Sequence, residues 1–207
     1  VDSLTKSFGP FIAVDDINFS LKRGEVLGFL GPNGAGKTTT MRMITGFLSP
    51  TKGRISVCGH DVSENPIEIK EKIGYVPEGA PLYGEMTVMN FLKFIADIRK
   101  IPKDKVNDAI HSAIKKLGLE LVLYQQIETL SKGYKRRVGL SQAIIHDPDV
   151  LILDEPTDGL DPNQKHEVRR LIKEMSSTKA IIISTHILEE VDAVCTRAMI
   201  IAKGRMI

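Results

Sequence analysis

The stretch Val26–Thr39 reads VLGFLGPNGAGKTT and joins a short apolar run to a glycine-rich loop. Its first five residues have the length and continuous apolar character of a strand buried on both faces of a parallel sheet. The following letters, from Gly31 to Thr38, satisfy the spacing G-x-x-x-x-G-K-[ST] of a phosphate-binding loop. An ordinary glycine-rich turn is the alternative. The helical pattern Thr38–Phe47 favours the phosphate-binding loop, which lies between a strand and a helix.

The chemistry of this loop suits a nucleoside triphosphate. Glycines let the backbone curl so that several N–H groups face one anion, and the helix that follows adds its positive N-terminal end. Lys37 is expected to neutralise the β- and γ-phosphates, and the Thr38 hydroxyl is expected to reach Mg²⁺. The remaining phosphate oxygens are assigned to the Thr39 hydroxyl and to the backbone of Asn33, Gly34, Ala35, Gly36, Lys37 and Thr38. The pattern predicts triphosphate binding but specifies neither the base nor hydrolysis.

Composition narrows the classes of partner. The 207 residues include 28 basic and 26 acidic side chains, a net charge of +2, which argues against a protein whose main partner is nucleic acid. Two cysteines, Cys58 and Cys195, have neither metal-site nor disulfide spacing and are interpreted as reduced core thiols. No apolar run approaches the roughly 18 residues that span a membrane, so any membrane link is expected through a partner. Whether the chain is trimmed at its ends is left open.

The remaining apolar runs predict an α/β fold. Strands are expected at Val150–Leu153, Ala180–Ser184 and Ala198–Ala202, and a helix at Pro162–Met175 follows the first of them. Strand, loop and helix in repetition indicate a parallel sheet covered by helices. Near the start of the chain, Ile12–Leu21 alternates apolar and polar residues and predicts an antiparallel strand.

Residues 87–146 differ from this pattern because they predict helices alone. Thr87–Lys100 and Lys103–Leu117 have the pattern of two consecutive amphipathic helices, and a third helix follows from the stretch LSKGYKRRVG. We therefore expect a single domain over all 207 residues. Its core is formed by residues 1–86 and 147–207, and residues 87–146 form an inserted helical subdomain.

Two carboxylates end one of the predicted buried strands. In DVLILDEP, Asp154 and Glu155 stand at the carboxyl end of the strand, the edge where α/β sheets bind ligands, unless the pair simply begins a loop. Asp154 is expected to orient Mg²⁺ through water, and Glu155 to polarise the water that attacks the γ-phosphate. His186 ends another predicted strand and is expected to donate a hydrogen bond to the same phosphate. Asp161, in GLDP, is either a site residue or only the cap of the following helix.

A basic cluster lies in LSKGYKRRVG, where four of the six residues from Lys132 to Arg137 are basic. Three interpretations are open at this point. The cluster is a nucleic-acid patch, a solvated helix face, or part of a helix start aimed at a phosphate.

Together these motifs resemble the ATP-binding subunit of an ABC transporter over essentially the whole chain. The order matches, with a Walker A loop at Gly31–Thr39, a middle loop at Glu78, a signature at Leu130–Tyr134, a Walker B strand at Val150–Glu155, a D-loop at Gly159–Asp161 and a switch histidine at His186. Other phosphate-loop ATPases and GTPases share only the first and fourth motifs. The resemblance implies a P-loop NTPase fold with a RecA-like core, an N-terminal antiparallel β part and a helical subdomain that carries the signature.

The resemblance also implies an ATPase that works as a pair of domains. The signature, LSGGQ in the family and LSKGY here, acts in trans and covers the γ-phosphate of ATP held by the Walker A loop of a second domain. Ser131 and the Gly133 N–H are then contacts to that ATP, and Asp161 of the D-loop joins the nucleotide-binding residues. The basic cluster then surrounds the γ-phosphate of that ATP or stays solvated, rather than binding nucleic acid. Phe8 takes the position of the aromatic residue that stacks on adenine, unless Phe8 or Phe11 is only part of the core.

The implied complex is a membrane transporter. ATP closes a homodimer or heterodimer of ATPase domains, hydrolysis based on Glu155 opens it, and the loop after Glu78 transmits the change to an integral membrane permease. The chain would then lie in the cytoplasm, held at the inner face of the cell membrane by the permease. GYVPEGAPLY together with LSKGY resembles ABC-2-type exporters, including gliding-motility-associated ATPases.

Two other functions compete with transport. A soluble ABC ATPase that acts on ribosomes or DNA is disfavoured by the balanced charge and by the single ATPase domain without a long coiled-coil insertion. A regulator that binds nucleotide without hydrolysis is disfavoured by the presence of Glu155 and His186.

Two departures from the family pattern matter for the chemistry. Glu78 replaces the glutamine usual in the middle loop, so a carboxylate is expected near Mg²⁺ and the attacking water. It either binds the metal directly or makes ionisation of Glu155 harder by like-charge repulsion. In the signature, Lys132 limits backbone freedom and Tyr134 exchanges an amide for a phenol, while the serine and the second glycine are retained.

Overall fold

A computed structural model describes residues 1–79 and 82–207. Ala80 and Pro81, which belong to the GYVPEGAPLY stretch, lie outside the described residues. The strands are β1 (Asp2–Phe8), β2 (Phe11–Ile17), β3 (Val26–Leu30), β4 (Lys52–Arg54), β5 (Ser56–Val57), β6 (His60–Asp61), β7 (Ile73–Val76), β8 (Val150–Asp154), β9 (Ala180–Thr185), β10 (Arg197–Ala202) and β11 (Arg205–Met206). The α-helices are α1 (Lys37–Ile44), α2 (Pro66–Lys72), α3 (Val88–Ile98), α4 (Val106–Leu117), α5 (Lys132–Ile144), α6 (Pro162–Ser176) and α7 (Leu188–Val194). Short 3₁₀ turns at Glu120–Val122 and Ile127–Thr129 connect α4 to α5.

A six-stranded sheet forms the centre, in the order β11-β10-β3-β9-β8-β7. Strands β10, β3, β9, β8 and β7 pair in parallel, and β11 pairs antiparallel with β10 at one edge. The expected α/β class with a parallel sheet is confirmed. Strand β9 is buried along its whole length, as are most of β3 and β8. Burial on both faces explains why these strands carry continuous apolar runs rather than an alternating pattern.

The antiparallel part near the start of the chain is a separate three-stranded sheet in the order β2-β1-β4. β1 and β2 form a hairpin in which Phe8 pairs with Phe11 across a tight turn. The strand predicted at Ile12–Leu21 is shorter, because β2 ends at Ile17. The residues that follow, NFSLKRGE, lead through a turn into β3.

Side chains on the two faces of the central sheet enter two different hydrophobic clusters, because neighbours along a strand point to opposite faces. Leu27, Phe29 and Ile152 belong to the cluster that contains α1 and the antiparallel sheet. Leu151 and Leu153 belong to the cluster that contains α3, α4, α5 and α6. Because β3, β9 and β8 run in parallel, their carboxyl ends meet along one edge of the sheet. The predicted site residues follow these ends.

Residues 87–146 contain α3, α4 and α5, so the helices predicted there are present. Thr87 caps α3 by accepting a hydrogen bond from the Asn90 N–H, and Gly118 ends α4 in the left-handed conformation with φ 59°. α5 begins directly after its cap, Ser131, so the basic cluster occupies the first turns of a helix. Among the described residues, no helix combines the length and the apolar character needed to cross a lipid bilayer.

Candidate functional site

Most of the predicted site residues border one open cleft of about 500 Å³, a volume typical of ligand pockets. The cleft is formed by the loop between β3 and α1, the β1–β2 hairpin, the loops after β7 and β8, and the residue after β9. The predicted residues that line it are Phe8, Asn33, Gly34, Ala35, Gly36, Lys37, Thr38, Thr39, Glu78, Glu155 and His186.

The loop between β3 and α1 packs closely against the rest of the chain, which explains two of its glycines. A Cβ at Gly36, where φ is 106°, would lie 2.6 Å from the carbonyl oxygen of Ala13. A Cβ at Gly31 would lie 2.1 Å from the carbonyl oxygen of Ile201. Any larger residue at either position would displace backbone. The resulting curl presents N–H groups at the start of α1, where the positive end of the helix favours an anion.

Lys37 is buried at the first position of α1, and its ammonium group stays inside the loop. Nζ donates to the carbonyl oxygen of Gly31 at 2.7 Å and to that of Pro32 at 3.2 Å. It also lies 3.5 Å from Oε1 of Glu155, in an ion pair whose side chains are 6% and 10% exposed. A phosphate that enters the cleft therefore meets a positioned positive charge and competes with Glu155 for it.

Glu155 lies between this cation and the switch histidine. Its Oε2 is 3.1 Å from Nδ1 of His186, which donates as Nδ1–H because an ionised carboxylate only accepts. The Glu155 backbone has φ 48°, in the left-handed region, and its N–H donates to Oγ of Ser184 at 2.9 Å. The carboxylate is thus directed into the cleft between Lys37 and His186. A group that polarises water beside a phosphate requires such a position.

Asp154 lies behind the cleft rather than on its wall. It is fully buried at the end of β8, and its Oδ1 accepts a hydrogen bond from Ser184. Its Oδ2 has no hydrogen-bond partner among the described residues. A buried carboxylate oxygen without a donor suits a metal ion or a water bound to one, so the residues present fit Mg²⁺.

The side chains offer Mg²⁺ only a few ligands. Within residues 1–79 and 82–207 there is no cluster of three or more His, Cys, Asp or Glu side chains suited to a metal. Mg²⁺ usually keeps several waters and takes further oxygens from substrate phosphates. The combination of Asp154 with the Thr38 hydroxyl at the start of α1 fits that habit.

Phe8 and Phe11 stand near the tip of the β1–β2 hairpin and line the cleft. They are 50% and 62% exposed, so the alternative that either ring is only part of the core is wrong. Lys6 Nζ lies 5.2 Å from the centre of the Phe8 ring. Exposed rings beside a phosphate-binding loop are suited to stacking on a planar base. Glu78 lines the same cleft from the loop after β7.

Besides Asp154, three predicted site residues do not line this cleft: Ser131, Gly133 and Asp161. Ser131 is the exposed N-cap of α5, and its Oγ accepts from the Tyr134 N–H at 3.4 Å. Gly133 packs against α6, since a Cβ there would lie 2.4 Å from the side chain of Gln164. Asp161 caps α6, with Oδ1 accepting from the Gln164 N–H at 3.0 Å. Nucleotide contacts by these three residues therefore require a ligand outside the chain's own cleft.

Glu190, a buried carboxylate beside the site, was not predicted as a site residue from the sequence. It lies in α7 and accepts a hydrogen bond from Oγ1 of Thr185, the residue before His186, at 2.9 Å. Its other oxygen lies 3.3 Å from Nζ of Lys165. Burial raises the pKa of Glu190, but hydrogen bonds from Thr157, Thr185 and Lys165 outweigh burial, and the pKa is lowered. Glu190 thus ties the end of β9 to α6.

Asp158 and Arg136 were also missed. Asp158 lines the cleft from the loop after β8. Arg136, in α5, is buried and donates from Nη2 to the carbonyl oxygen of Glu155 at 2.6 Å. Helical periodicity contained a signal for Arg136, because it lies in phase with Gly133 and Leu140, which are both buried. No comparable local pattern marks Asp158.

Comparisons with known proteins agree with this geometry. The family model described as ABC transporter matches residues 14–158. The uncharacterized ABC transporter ATP-binding protein YhcH of Bacillus subtilis is 36% identical over 208 residues, covering 99% of this chain and 67% of that protein. The bacitracin transport ATP-binding protein BcrA of Bacillus licheniformis is 39% identical over 206 residues, covering 99% of this chain and 66% of that protein. The chain spans between 35% and 80% of the length of curated relatives that it matches.

A solved structure extends the similarity to the fold. The cbiO1 protein of Clostridium perfringens, described as part of the ABC transporter complex cbiONQ, is 33% identical and superposes with a TM-score of 0.88. The superposition covers 100% of this chain and 85% of that one.

Proposed function

This chain belongs to the ABC transporter family of ATP-binding proteins, and on that premise we propose that it is the ATPase that powers an ABC transporter. It binds ATP with Mg²⁺, closes head to tail on a second ATPase domain, and opens after hydrolysis. The P-loop NTPase fold expected from the sequence is confirmed by the match to cbiO1.

One observation carries the proposal: the phosphate-binding loop, Glu155 and His186 converge in a single cleft. The Glu155 carboxylate lies 3.5 Å from Nζ of Lys37 and 3.1 Å from Nδ1 of His186. A phosphate-binding cation, a candidate base and a hydrogen-bond donor are therefore within reach of one ligand. Together with a metal ion, these parts are what phosphoryl transfer to water requires.

Lys37 links the arrival of ATP to the release of Glu155. Nζ of Lys37 is shared by two loop carbonyl oxygens and Oε1 of Glu155. The triphosphate carries more negative charge than these partners, so it draws the ammonium group toward itself. Oε1 of Glu155 is then available to accept a proton from water. In this way the base becomes available when the substrate is in place.

His186 holds the water and the γ-phosphate in one geometry. Its Nδ1–H donates to Oε2 of Glu155, so the ring is oriented by the carboxylate that acts as base. In this tautomer Nε2 is an acceptor, and it donates to a phosphate oxygen only in the imidazolium form, in which both ring nitrogens carry a proton. The half-exposed ring stands at the mouth of the cleft, where a ligand can reach it.

Thr38, Asp154 and Glu78 are the residues that hold Mg²⁺ in this proposal. When bound, the metal neutralises charge on the β- and γ-phosphates. The unpartnered Oδ2 of Asp154 supports its assignment, and Glu78 lines the cleft with a second carboxylate. Phe8, on the hairpin, supplies the ring that stacks on the base. The choice of adenine, and so of ATP, is supported by the ATP-binding relatives.

The second ATPase domain, a copy of this chain or a related one, completes the site. Ser131 is exposed at the N-terminus of α5, where N–H groups and the helix dipole favour an anion. Together with the Gly133 N–H and the D-loop residue Asp161, it lies outside the chain's own cleft. Head-to-tail pairing places these residues on ATP held by the partner. This gives the signature its role in trans.

An integral membrane permease is the second kind of partner, and it would hold the chain at the inner face of the cell membrane. Tyr83, Leu121 and Tyr124 are 58%, 84% and 81% exposed. Tyr83 follows the loop of Glu78, and the other two precede α5, so both nucleotide-sensing segments adjoin exposed apolar side chains. BcrA is named for bacitracin transport, which favours a transporter over an ATPase that acts on ribosomes or DNA. The ABC-2 exporter type rests on the resemblance of GYVPEGAPLY and LSKGY.

The test of this proposal is Lys37→Ala. Loss of the buried ammonium group removes the charge that binds the phosphates, so ATP affinity and hydrolysis should both fall, hydrolysis by roughly 100-fold or more. Titration calorimetry with ATP and a steady-state phosphate-release assay measure the two quantities. Lys52→Ala, at an exposed position in β4, is the matched control and should retain both. Unchanged hydrolysis in Lys37→Ala would overturn the assignment of the loop.

A further inference from the structure

Arg136 is buried although it belongs to the basic cluster of α5. It is 8% exposed, and its two basic neighbours have other partners. Nζ of Lys135 donates to the carbonyl oxygen of Glu128 in an exposed contact, and Arg137 pairs with Glu167. Burial lowers the pKa of the Arg136 guanidinium, and a charge taken out of water needs specific compensation. The environment of Arg136 should therefore explain why the helix turns this side chain inward.

The inward contact is with the peptide of the candidate base. Nη2 of Arg136 donates to the carbonyl oxygen of Glu155 at 2.6 Å, in a fully buried hydrogen bond between residues 19 positions apart. The N–H of Asp158 donates to the same oxygen at 3.2 Å. On the other side, the Glu155 N–H donates to Ser184 at 2.9 Å. Because φ of Glu155 is 48°, these contacts hold a conformation that the residue would otherwise avoid.

The guanidinium also faces the acidic side of the site. The carboxylates that act on its charge are Asp158, Asp154, Glu155 and Glu78. Its Nη1 is buried and has no hydrogen-bond partner among the described residues. Arg136 therefore supplies a positive charge against a group of acids that includes the extra carboxylate of the middle loop. A neutral side chain at this position would remove the positive charge that compensates these carboxylates.

We propose that Arg136 is a positioning residue that joins the signature helix to the catalytic carboxylate of its own domain. The N-terminal end of α5 carries Ser131 and Gly133, within five residues of Arg136. These two contact the ATP of the second domain if the proposed function holds, and the inference rests on that function. When α5 moves to contact the partner's ATP, Arg136 transmits this movement to the Glu155 peptide through one hydrogen bond of 2.6 Å. Hydrolysis in one cleft then depends on ATP bound in the other.

The test compares Arg136→Met and Arg136→Lys with the control Lys135→Met. Methionine keeps much of the length but removes both charge and donors, so kcat should fall by about tenfold or more while KM for ATP stays within about threefold. Lysine keeps the charge and one donor, and its kcat should lie between those of Arg136→Met and the unchanged protein. Lys135→Met loses only an exposed contact and should keep its kcat within about twofold. ATP affinity and the thermal midpoint are measured for every variant.

Each outcome separates this inference from the proposed function. If the unchanged protein does not hydrolyse ATP, the proposed function fails and the inference fails with it. If the unchanged protein is active and Arg136→Met has the same kcat, the inference alone is overturned. A loss in Arg136→Met that falls equally on ATP affinity would assign Arg136 to packing and would also overturn it. If Arg136→Met does not fold, Arg136→Lys decides, because an unchanged kcat there would contradict the need for the guanidinium.

Discussion

At the scale of single residues, Glu155 shows how a side chain is fixed for chemistry. Its left-handed backbone, with φ 48°, costs a non-glycine residue about 1–2 kcal/mol. Four neighbours hold it there: Ser184 on its N–H, Arg136 on its carbonyl oxygen, and Lys37 and His186 on its carboxylate. Strain that is maintained by surrounding contacts is typical of functional positions. The same contacts fix the direction in which the carboxylate points.

The metal contact proposed for Glu78 can be tested on its own, because Glu78→Gln replaces a single oxygen atom with nitrogen. In Glu78→Gln the carboxylate becomes an amide of the same shape, so the negative charge beside the metal is lost while a neutral oxygen and the packing are kept. The Mg²⁺ concentration that gives half the maximal ATPase rate should rise by about tenfold. A Mg²⁺ titration at saturating ATP measures it.

The control for this change is Glu85→Gln, which alters an exposed carboxylate a short distance along the same segment. In this variant the Mg²⁺ concentration that gives half the maximal ATPase rate should not change. If Glu78→Gln also leaves the titration unchanged, the assignment of Glu78 to the metal is wrong.

At the scale of elements, His146 joins the end of α5 to the central sheet. Its Nε2 lies 3.2 Å from the carbonyl oxygen of Ile73, the first residue of β7. Burial first, and then the charge of Arg99, lower the pKa of His146 to about 4. The neutral ring is therefore the form that the fold retains near pH 7.

This lowered pKa predicts a loss of stability in mild acid. Below pH 6.5 the unfolded chain protonates this histidine, whereas the folded protein resists protonation until about pH 4. Between pH 6.5 and pH 5 the free energy of unfolding should drop by about 1.5 kcal/mol from this residue alone. Urea unfolding at the two pH values, for the unchanged protein and for His146→Gln, measures the difference.

The control is His111→Gln, at an exposed position on α4. It should keep the acid sensitivity of the unchanged protein, whereas His146→Gln should lose most of it. Equal acid sensitivity in both variants would show that His146 does not cause the effect.

The elements that the sequence predicted are those with a strong local pattern. The strands β3, β8 and β9 begin at the predicted residues because continuous apolar runs mark burial on both faces. β1, with the sequence DSLTKSF, carries polar side chains at an open surface and gave no such pattern. β7 has four residues, and α2 and α7 have seven each, which is too short to establish a period.

The candidate site was predictable to the extent that it is written in linear motifs. Lys37, Asp154 and Glu155 stand at fixed spacings that chemistry dictates, so their positions follow from the sequence. The contact from Arg136 to Glu155 and the one from Thr185 to Glu190 depend on how separate elements pack. Spacing along the chain carries no information about such contacts. The contact of Arg136 alone has a partial signal in the sequence, because Arg136 lies on the buried side of its helix.

At the scale of the whole molecule, the signature lies outside the cleft, and we propose that the two contact different ATP molecules. α5 packs into the same hydrophobic cluster as β8 and β9, while its cap, Ser131, remains exposed. The phosphate-binding loop lies in the cleft, and the signature does not line it. On the proposed function, a complete site would consist of the cleft of one chain and the signature of another, with ATP as the contact between them.

The most direct test of this account is the solution mass of Glu155→Gln, measured by light scattering with ATP and Mg²⁺ and then with ADP and Mg²⁺. The variant keeps the shape of the base but cannot hydrolyse ATP, so a closed pair should persist. We expect twice the 22.9 kDa of one chain with ATP and a single chain with ADP. Adding Ser131→Ala should weaken the pair formed with ATP. A single chain with both nucleotides would contradict ATP-driven closure through the signature.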